Sequence, residues 1–171
     1  MNRPLQDEYP DYYNLYLNEV KQGDIIEMLE EQSAETQKLL ASISEESGDK
    51  AYAFGKWTIK ELIGHLIDTE RILSYRALRF TRKDKQNLAG YDQDEYVKYG
   101  NFFKRTVKDL ADELLFLRAA NLKLFKNFSQ EDLLEKGKAN DFVFSVRAIL
   151  YILLGHEIYH INFLKENYLN L

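Results

Sequence analysis

Residues 145–160 read S-V-R-A-I-L-Y-I-L-L-G-H-E-I-Y-H, and this stretch decides the fold class because its apolar residues recur at helical spacing. The pattern predicts a long helix from about Ser145 to Tyr168. Its inward stripe is Ile149, Ile152, Leu153, His156, His160, Phe163 and Leu164. Positions four apart lie on one face, about 40° around the helix axis. His156 and His160 are therefore predicted to share the centre of the apolar face.

A second apolar stripe covers the opposite side of the same helix. It consists of Leu150, Leu154, Ile158 and Ile161. A helix that is apolar on both sides is either central in its domain or partly an interface. We therefore predict a homodimer, with packing of the chain's own N-terminal segment as the alternative cover for this stripe.

Three further long helices are predicted upstream. The first begins near Asp24, the second covers about 58–82 and the third roughly 104–127. Thr58 and Glu61 have the spacing of a capping box, which marks the start of the second helix. The apolar residues that repeat at helical spacing are Ile25, Met28, Leu29, Leu39, Leu40 and Ile43, then Leu62, Leu66, Leu73, Ala77 and Phe80, then Val107, Leu110, Leu114, Leu117 and Phe125.

The connection between the second and third helices, residues 83–103, is too long for a tight turn. A crossover of this length lets the next helix run parallel to the last. Four amphipathic helices, without strand-like alternation or an internal repeat, predict an all-α four-helix bundle that forms one domain over residues 1–171. Three short helical segments are also predicted, at Tyr9–Val20, Asp92–Tyr99 and Ser129–Lys136.

Composition excludes several classes of function. The net charge of −5 provides no basic face for phosphates, so no nucleic-acid partner is expected. The absence of cysteine excludes disulfides, cysteine–zinc sites and a cysteine nucleophile. The longest apolar run, Ala148 to Leu154, is too short to span a bilayer. The N-terminus M-N-R-P-L-Q-D-E-Y lacks the apolar core of a signal peptide, so we expect a cytoplasmic protein.

The three histidines of the chain have the pattern of a metal site. His65 lies beside the inward stripe of the second helix, and His156 and His160 lie on the stripe of the fourth. Three imidazole ligands leave a coordination position free for water or substrate, as in catalytic sites. One histidine on an apolar face is usually a core residue, but here every histidine of the chain is on or beside such a face.

Glu157 is a candidate catalytic base. Residues 156–160, H-E-I-Y-H, match the H-E-x-x-H signature of zinc metalloproteases, in which the glutamate has that role. Those enzymes usually take their third ligand from downstream, and no histidine follows His160. We therefore do not expect peptidase activity. The alternative for Glu157 is an exposed helix residue beside the site.

Three polar residues of the inward faces are candidates for binding an anionic substrate group. Arg118 and Asn121 lie on the stripe of the third helix, and Arg76 lies on the same face as His65. The alternative is a buried polar network, which for Arg76 would involve Asp92, Asp94 or Glu95.

Gln32 and Asp68 are ambiguous in the same way. Gln32 falls on the inward stripe of the first helix. Asp68 lies one turn from His65 and can orient an imidazole by accepting a hydrogen bond from it. Its alternative role is a salt bridge at the surface or between helices.

Taken together, these residues resemble the DinB-like superfamily, a group of metal-binding four-helix bundles that includes YfiT-type proteins. The resemblance covers nearly the whole chain. It is most specific where the histidines fall in the expected helices. The segments that carry it are G-D-I-I-E-M-L-E-E-Q at 23–32, G-K-W-T-I-K-E-L-I-G-H-L-I-D-T-E-R-I-L-S-Y-R-A-L-R-F at 55–80, Y-D-Q-D-E-Y-V at 91–97 and residues 145–160.

The resemblance implies an up-down-down-up bundle, frequent dimers, and a nickel or zinc ion held by His65, His156 and His160. It also implies chemistry, because relatives include S-transferases that use bacillithiol or mycothiol and proteins described as metal-dependent hydrolases. Without cysteine in the chain, any thiol must come from a low-molecular-weight cofactor. We expect a metal-dependent thiol S-transferase or hydrolase acting on a small molecule. The alternative is a non-catalytic metal- or small-ligand-binding stress protein.

Overall fold

The computed structural model describes residues 2–169 of the chain, and most of them are helical. Its α-helices are α1 (Asn14–Leu17), α2 (Ile25–Leu40), α3 (Glu45–Gly48), α4 (Ile59–Thr81), α5 (Gln93–Gly100), α6 (Val107–Phe125), α7 (Gln130–Leu134) and α8 (Val146–Leu164). Short 3₁₀ turns cover Gln6–Glu8, Asp11–Tyr13 and Phe102–Lys104, and a π-helical turn covers Lys165–Leu169. Each of the three predicted short helical segments overlaps one short α-helix, namely α1, α5 or α7.

Side-chain caps explain where the four long helices begin. Thr58 and Glu61 form the predicted capping box, in which the Thr58 hydroxyl accepts the amide of Glu61 at 3.2 Å and the Glu61 carboxylate accepts the amide of Thr58 at 2.7 Å. Asp24, Thr106 and Ser145 cap α2, α6 and α8 by accepting backbone amides of the first turn. These caps satisfy amides that the helices themselves leave unpaired.

The long helices form the predicted all-α bundle. α4 packs against α6 and α8, and α2 packs against the same two helices. The crossover between α4 and α6, residues 82–106, allows these two neighbours to run in the same direction, which produces the up-down-down-up topology.

A small sheet lies outside the bundle, and the prediction that the chain has no strands is wrong in this respect. β1 (Asn87–Leu88) in the crossover pairs in parallel with β2 (Lys136–Ala139), which forms a hairpin with β3 (Phe142–Ser145). The hairpin turn consists of Asn140 and Asp141, both with positive φ, a conformation that these two residue types tolerate. Strands of two to four residues are too short to produce a recognisable alternation.

The second apolar stripe of α8 is covered within the chain. Leu150, Leu154 and Ile161 are buried, and α1 and α2 both pack against α8. The N-terminal segment and α2 therefore occupy the surface from which a homodimer was predicted. The homodimer stays a prediction, but this stripe no longer supports it.

Gly155 allows the N-terminal segment to approach α8 closely. A Cβ atom at this position would lie 2.1 Å from the backbone oxygen of Tyr16, which is well inside the contact distance of the two atoms. The close approach places the Tyr16 ring 5.0 Å from the ring of the adjacent His156, measured between centroids.

Glu8 ties the start of this segment to the base of α8. Its carboxylate accepts a hydrogen bond from the Ser145 hydroxyl at 2.5 Å and forms an ion pair with Arg147. Burial alone raises the pKa of Glu8, but the hydrogen bonds from Arg147 and Ser145 outweigh it and lower the pKa to about 2.

A layer of buried polar side chains divides the core into two apolar clusters. This polar layer consists of Thr36, Glu70, Arg118, Asn121 and Glu157. The cluster on one side includes Leu29, Leu73, Phe125 and Ile149, and the cluster on the other includes Leu40, Ile63, Leu110 and Leu164. All four long helices contribute to both clusters and to the polar layer.

None of the helices formed by residues 2–169 combines the length and the apolar character that crossing a bilayer requires.

The Glu8 contacts predict how stability depends on pH. The pKa of Glu8 lies near 2 in the folded protein against 4.5 for an unperturbed glutamate, so its contribution is present above about pH 4.5 and is lost as the pH falls toward 2. Over this range, wild-type protein should lose up to about 3 kcal/mol more unfolding free energy than the Glu8→Gln variant. Denaturant unfolding at a series of pH values measures this difference. The exposed Glu131→Gln variant should follow wild type, and parallel curves for Glu8→Gln and wild type would contradict the prediction.

Candidate metal centre

The structure brings the three histidines together at one point between α4 and α8. One ring nitrogen of each of His65, His156 and His160 lies within 4.8 Å of the other two. The Nε2 atoms of His65 and His156 are 2.9 Å apart. His156 and His160 therefore lie on the same face of α8, as their spacing predicts. The packing of α4 against α8 brings the ring of His65 beside them.

The surroundings of the histidines keep them neutral. Burial lowers the pKa of His65 to about 3, with a smaller effect of His160, and burial lowers the pKa of His160 to about 4. The pKa of His156 is also well below its usual value, first because of burial and then because of the other two rings. Neutral imidazoles have a nitrogen lone pair available, which is the form that binds a metal.

The residues fit a divalent transition ion. The Nε2 atom of His160 is buried and has no hydrogen-bond partner in the described part of the chain. A tetrahedral ion with nitrogen ligands at about 2.1 Å holds its nitrogens roughly 3.4 Å apart, and the three ring nitrogens here lie within 4.8 Å of one another. Imidazole suits zinc, nickel, copper and iron, so the ligands define a metal class without selecting one metal.

Arg118 lies in the polar layer between two carboxylates. Its Nε and Nη2 atoms donate to Glu70 at 3.0 and 2.8 Å, and Nη2 also donates to Glu157 at 2.6 Å. Nη1 donates to the carbonyl of Leu29 at 3.3 Å. Burial alone would lower the pKa of Arg118, but the charges of Glu157 and Glu70 keep it above its usual value. The three charged groups together carry a net charge of −1.

Asn121 and Gln32 also belong to the buried network. Asn121 donates to Glu70 at 2.8 Å, and Gln32 donates to Thr36 at 3.1 Å, which in turn donates to Glu157 at 2.6 Å. For Arg118, Asn121 and Gln32 the network alternative therefore describes the contacts in the structure.

Glu157 faces the bundle interior, so the exposed-residue alternative is wrong. It is only 4 % exposed, and both of its oxygens accept hydrogen bonds, one from Thr36 and one from Arg118. A cavity of about 10 Å³, close to the space of one water molecule, lies between Glu157, Arg118, Glu70 and His156. The polar layer is thus adjacent to the histidine cluster.

The sequence predictions missed Glu70, although a signal was present. Glu70 falls four residues after Leu66 and three before Leu73, both of which were assigned to the inward stripe. A carboxylate at such a position is buried, and a buried carboxylate requires a partner. The same spacing rule that identified Arg118 could therefore have identified its main acceptor.

Arg76 and Asp68 are not part of the polar layer. Arg76 is 5 % exposed and donates through Nη2 to the backbone oxygen of Ala89 at 3.0 Å, and none of the acidic residues within 2–169 forms an ion pair with it. Asp68 is half-buried, which raises its pKa, and within the same residues it neither hydrogen-bonds a histidine nor forms an ion pair.

Two pockets flank the histidine cluster. The first, the Arg76 pocket, has a volume of about 360 Å³, and His156 forms part of its wall. The second, the Trp57 pocket, has a volume of about 500 Å³, and His160 forms part of its wall. The rest of the Trp57 pocket is largely aromatic, with Tyr52, Trp57, Tyr159, Phe163 and Tyr168. Both volumes are in the range of small-molecule sites.

Comparison with known proteins identifies the family. The model of the DinB superfamily matches residues 28–164, which is most of the chain, and the protein therefore belongs to the DinB superfamily. No curated protein sequence gives a match.

Two solved structures have a similar fold. One is YfiT from Bacillus subtilis, described as a probable metal-dependent hydrolase with an unusual four-helix bundle topology. It has a TM-score of 0.74 at 16% identity, over 96% of this chain and 92% of that one. The other is a mycothiol-dependent maleylpyruvate isomerase, with a TM-score of 0.64 at 12% identity, over 83% of this chain and 59% of that one. At these identities the likeness establishes the fold.

The polar layer predicts a large effect of removing Arg118. Arg118→Met leaves two carboxylates buried without their cation, so the free energy of unfolding should fall by about 3–5 kcal/mol. Arg71→Met is the matched control, because Arg71 pairs with Glu113 at the surface and its loss should cost less than about 1 kcal/mol. Denaturant unfolding at neutral pH measures both. Equal losses for the two variants would contradict a structural role for the buried layer.

Proposed function

We propose that the protein holds a divalent transition metal ion, nickel or zinc, through His65, His156 and His160, and that it catalyses a reaction of a small molecule at this ion. The observation that carries the proposal is the convergence of three neutral imidazoles, with the buried Nε2 of His160 lacking a partner. Three protein ligands are typical of catalytic sites, because they leave a position for a reactant.

The charge of the polar layer supports this proposal. Glu70, Arg118 and Glu157 carry one more negative than positive charge, and they share a small cavity with His156. In a medium of low dielectric constant, an excess negative charge stabilises a cation nearby. The layer would therefore raise the affinity of the histidine cluster for a divalent ion.

A divalent ion at this position supplies Lewis-acid chemistry, which can lower the pKa of water toward about 7 or polarise the partner of a thiol. The chain's own groups have supporting roles. The buried histidines present lone pairs, and the two pockets admit small molecules on either side of the cluster.

We assign Arg118 and Glu157 a supporting role in the polar layer beside the histidines, in place of the roles expected from the sequence, which were anion binding for Arg118 and base catalysis for Glu157. The guanidinium of Arg118 is engaged by two carboxylates and a carbonyl, and it lines neither large pocket. Glu157 would have to break hydrogen bonds from Thr36 or Arg118 before it could act as a base.

Two reaction types fit the site. Transfer of a low-molecular-weight thiol needs room for two reactants, and the presence of two pockets beside the histidines favours it. The dependence of the similar isomerase on mycothiol is consistent with this choice. Hydrolysis needs room for one reactant and water, and the description of YfiT as a probable metal-dependent hydrolase is consistent with it. The alternative, a non-catalytic binding protein, would be favoured by a closed apolar shell around the histidines.

The first test is metal stoichiometry. Untagged protein should bind about one zinc or nickel ion per chain, and His156→Ala or His160→Ala should remove most of this binding because each deletes one of three ligands. Glu166→Gln is the control, since Glu166 is exposed beyond the cluster. Metal content by mass spectrometry and zinc titration measure the result. Folded wild-type protein that takes up neither metal would rule out the site.

The second test is activity. Metal-loaded protein should accelerate either transfer of a thiol onto a chromogenic electrophile or hydrolysis of a small ester or amide, and His65→Ala should lose the acceleration while Glu166→Gln keeps it. Circular dichroism must first show that His65→Ala is folded, because His65 is buried. If no reaction occurs across a broad panel and a ligand screen finds tight small-molecule binding, the non-catalytic alternative becomes the better account.

A further inference from the structure

The Arg76 pocket is assembled from parts of the chain that are far apart in sequence. Its walls come from the N-terminal segment, α4, the crossover, the β2–β3 hairpin and α8. The fourteen lining residues include Tyr13, Tyr16, Thr69, Arg76, Tyr91 and His156. Arg76 is the one charged side chain among them, although acidic residues outnumber basic ones in the whole chain.

The guanidinium of Arg76 is buried without a counter-ion. It is 5 % exposed, and of its several N–H donors one is engaged by the backbone oxygen of Ala89 in the crossover. The other fully buried arginine of the described residues, Arg118, has two carboxylate partners. A buried cation normally has an anionic partner, because its desolvation is otherwise uncompensated. No acidic side chain of residues 2–169 lines this pocket to balance the positive charge of Arg76.

Side chains with neutral hydroxyl groups line the pocket together with Arg76. Tyr13 lines the same pocket as Arg76, and burial raises the pKa of Tyr13 well above its usual value. The Tyr91 hydroxyl is 2.9 Å from the Thr69 hydroxyl, and burial raises the pKa of Tyr91 as well. These groups stay protonated at neutral pH, so they add hydrogen bonds to the pocket and no competing negative charge.

We propose that the Arg76 pocket binds the carboxylate group of a small organic acid, with Arg76 as the anion-binding residue and with the rest of the molecule directed along the tyrosine rings toward His156. The planar guanidinium matches the two oxygens of a carboxylate. A single cation balances one negative charge, which favours a carboxylate over a phosphate dianion. The assignment of this acid as a reactant rests on the proposed function at the histidines, but the binding of the carboxylate does not.

Binding of benzoate to metal-free protein tests the proposal directly. Titration calorimetry should detect benzoate binding, whereas benzamide, which has a similar shape and no charge, should bind at least about tenfold more weakly because it cannot form the charge-assisted pair. Inorganic phosphate should also bind more weakly than benzoate. Absence of benzoate binding at millimolar concentration, or equal affinity for benzoate and benzamide, overturns the proposal, and tighter binding of phosphate overturns the carboxylate assignment.

Variants assign the binding to Arg76. Arg76→Gln should weaken benzoate binding by about tenfold or more. Arg76→Lys keeps the positive charge but loses the planar pair of N–H donors that matches the two carboxylate oxygens, so it should have intermediate affinity. Arg71→Gln is the matched control, because Arg71 lies on the same helix and pairs with Glu113 at the surface. Circular dichroism and thermal unfolding report whether each variant is folded, and Arg76→Lys provides the test if Arg76→Gln is not. Wild-type affinity in the folded Arg76 variants overturns the proposal.

Two further measurements separate this proposal from the proposed function. The folded Arg76 variants should keep wild-type zinc stoichiometry, since Arg76 is not among the proposed ligands. If wild-type protein does not bind zinc but binds benzoate in a way that depends on Arg76, the metal site is wrong and the carboxylate site stands.

The source of the carboxylate is tested in zinc-loaded protein by comparing 3-mercaptopropionate, which carries a thiol, with benzoate. If 3-mercaptopropionate binds more tightly than benzoate and its binding still depends on Arg76, the thiol cofactor is the source of the carboxylate. Equal affinity for the two acids would identify a thiol-free substrate as its source.

Discussion

The ion pairs of Arg118 with Glu70 and Glu157 are the constraint on which the rest of this bundle depends. All three side chains are almost fully buried, and they come from three different helices, with Thr36 of the remaining long helix donating to the same network. A buried charge without its partner costs several kcal/mol, so a sliding or rotated packing of the helices is heavily penalised. The apolar clusters on either side supply most of the burial, while the polar layer selects one register among the many that apolar packing would tolerate.

This register also places the histidines. His156 directly precedes Glu157 on α8 and lines the small cavity between Glu157, Glu70 and Arg118. The packing that joins these ion pairs also holds α8 against α4, where the Nε2 atoms of His65 and His156 are 2.9 Å apart. The same arrangement leaves an excess negative charge beside the cluster. In this bundle, the interaction that selects the helix register therefore also creates the electrostatic environment of the candidate metal centre.

The N-terminal segment forms one wall of the Arg76 pocket beside His156. Gly155 allows the backbone at Tyr16 to lie against α8, and Glu8 holds the start of the segment to Ser145 and Arg147 at the base of that helix. This packing covers the second apolar stripe of α8 and adds tyrosine side chains to the wall of the Arg76 pocket. A segment with little regular structure thus forms part of the wall of the pocket that His156 also lines.

The sequence by itself determined the four long helices, the start of α4 at its Thr58 capping box, and the shared face of His156 and His160, because periodicity and capping depend on residues within one or two turns. It left the roles of Arg118, Asn121 and Arg76 undecided, and it did not reveal the short strands or the burial of Glu157. Only the tertiary structure shows these features, because the partners of a polar side chain come from other helices or strands that are distant in sequence. Arg118 meets Glu70 and Glu157 across the bundle, whereas Arg76 meets no carboxylate within residues 2–169, and no local pattern distinguishes these two arginines.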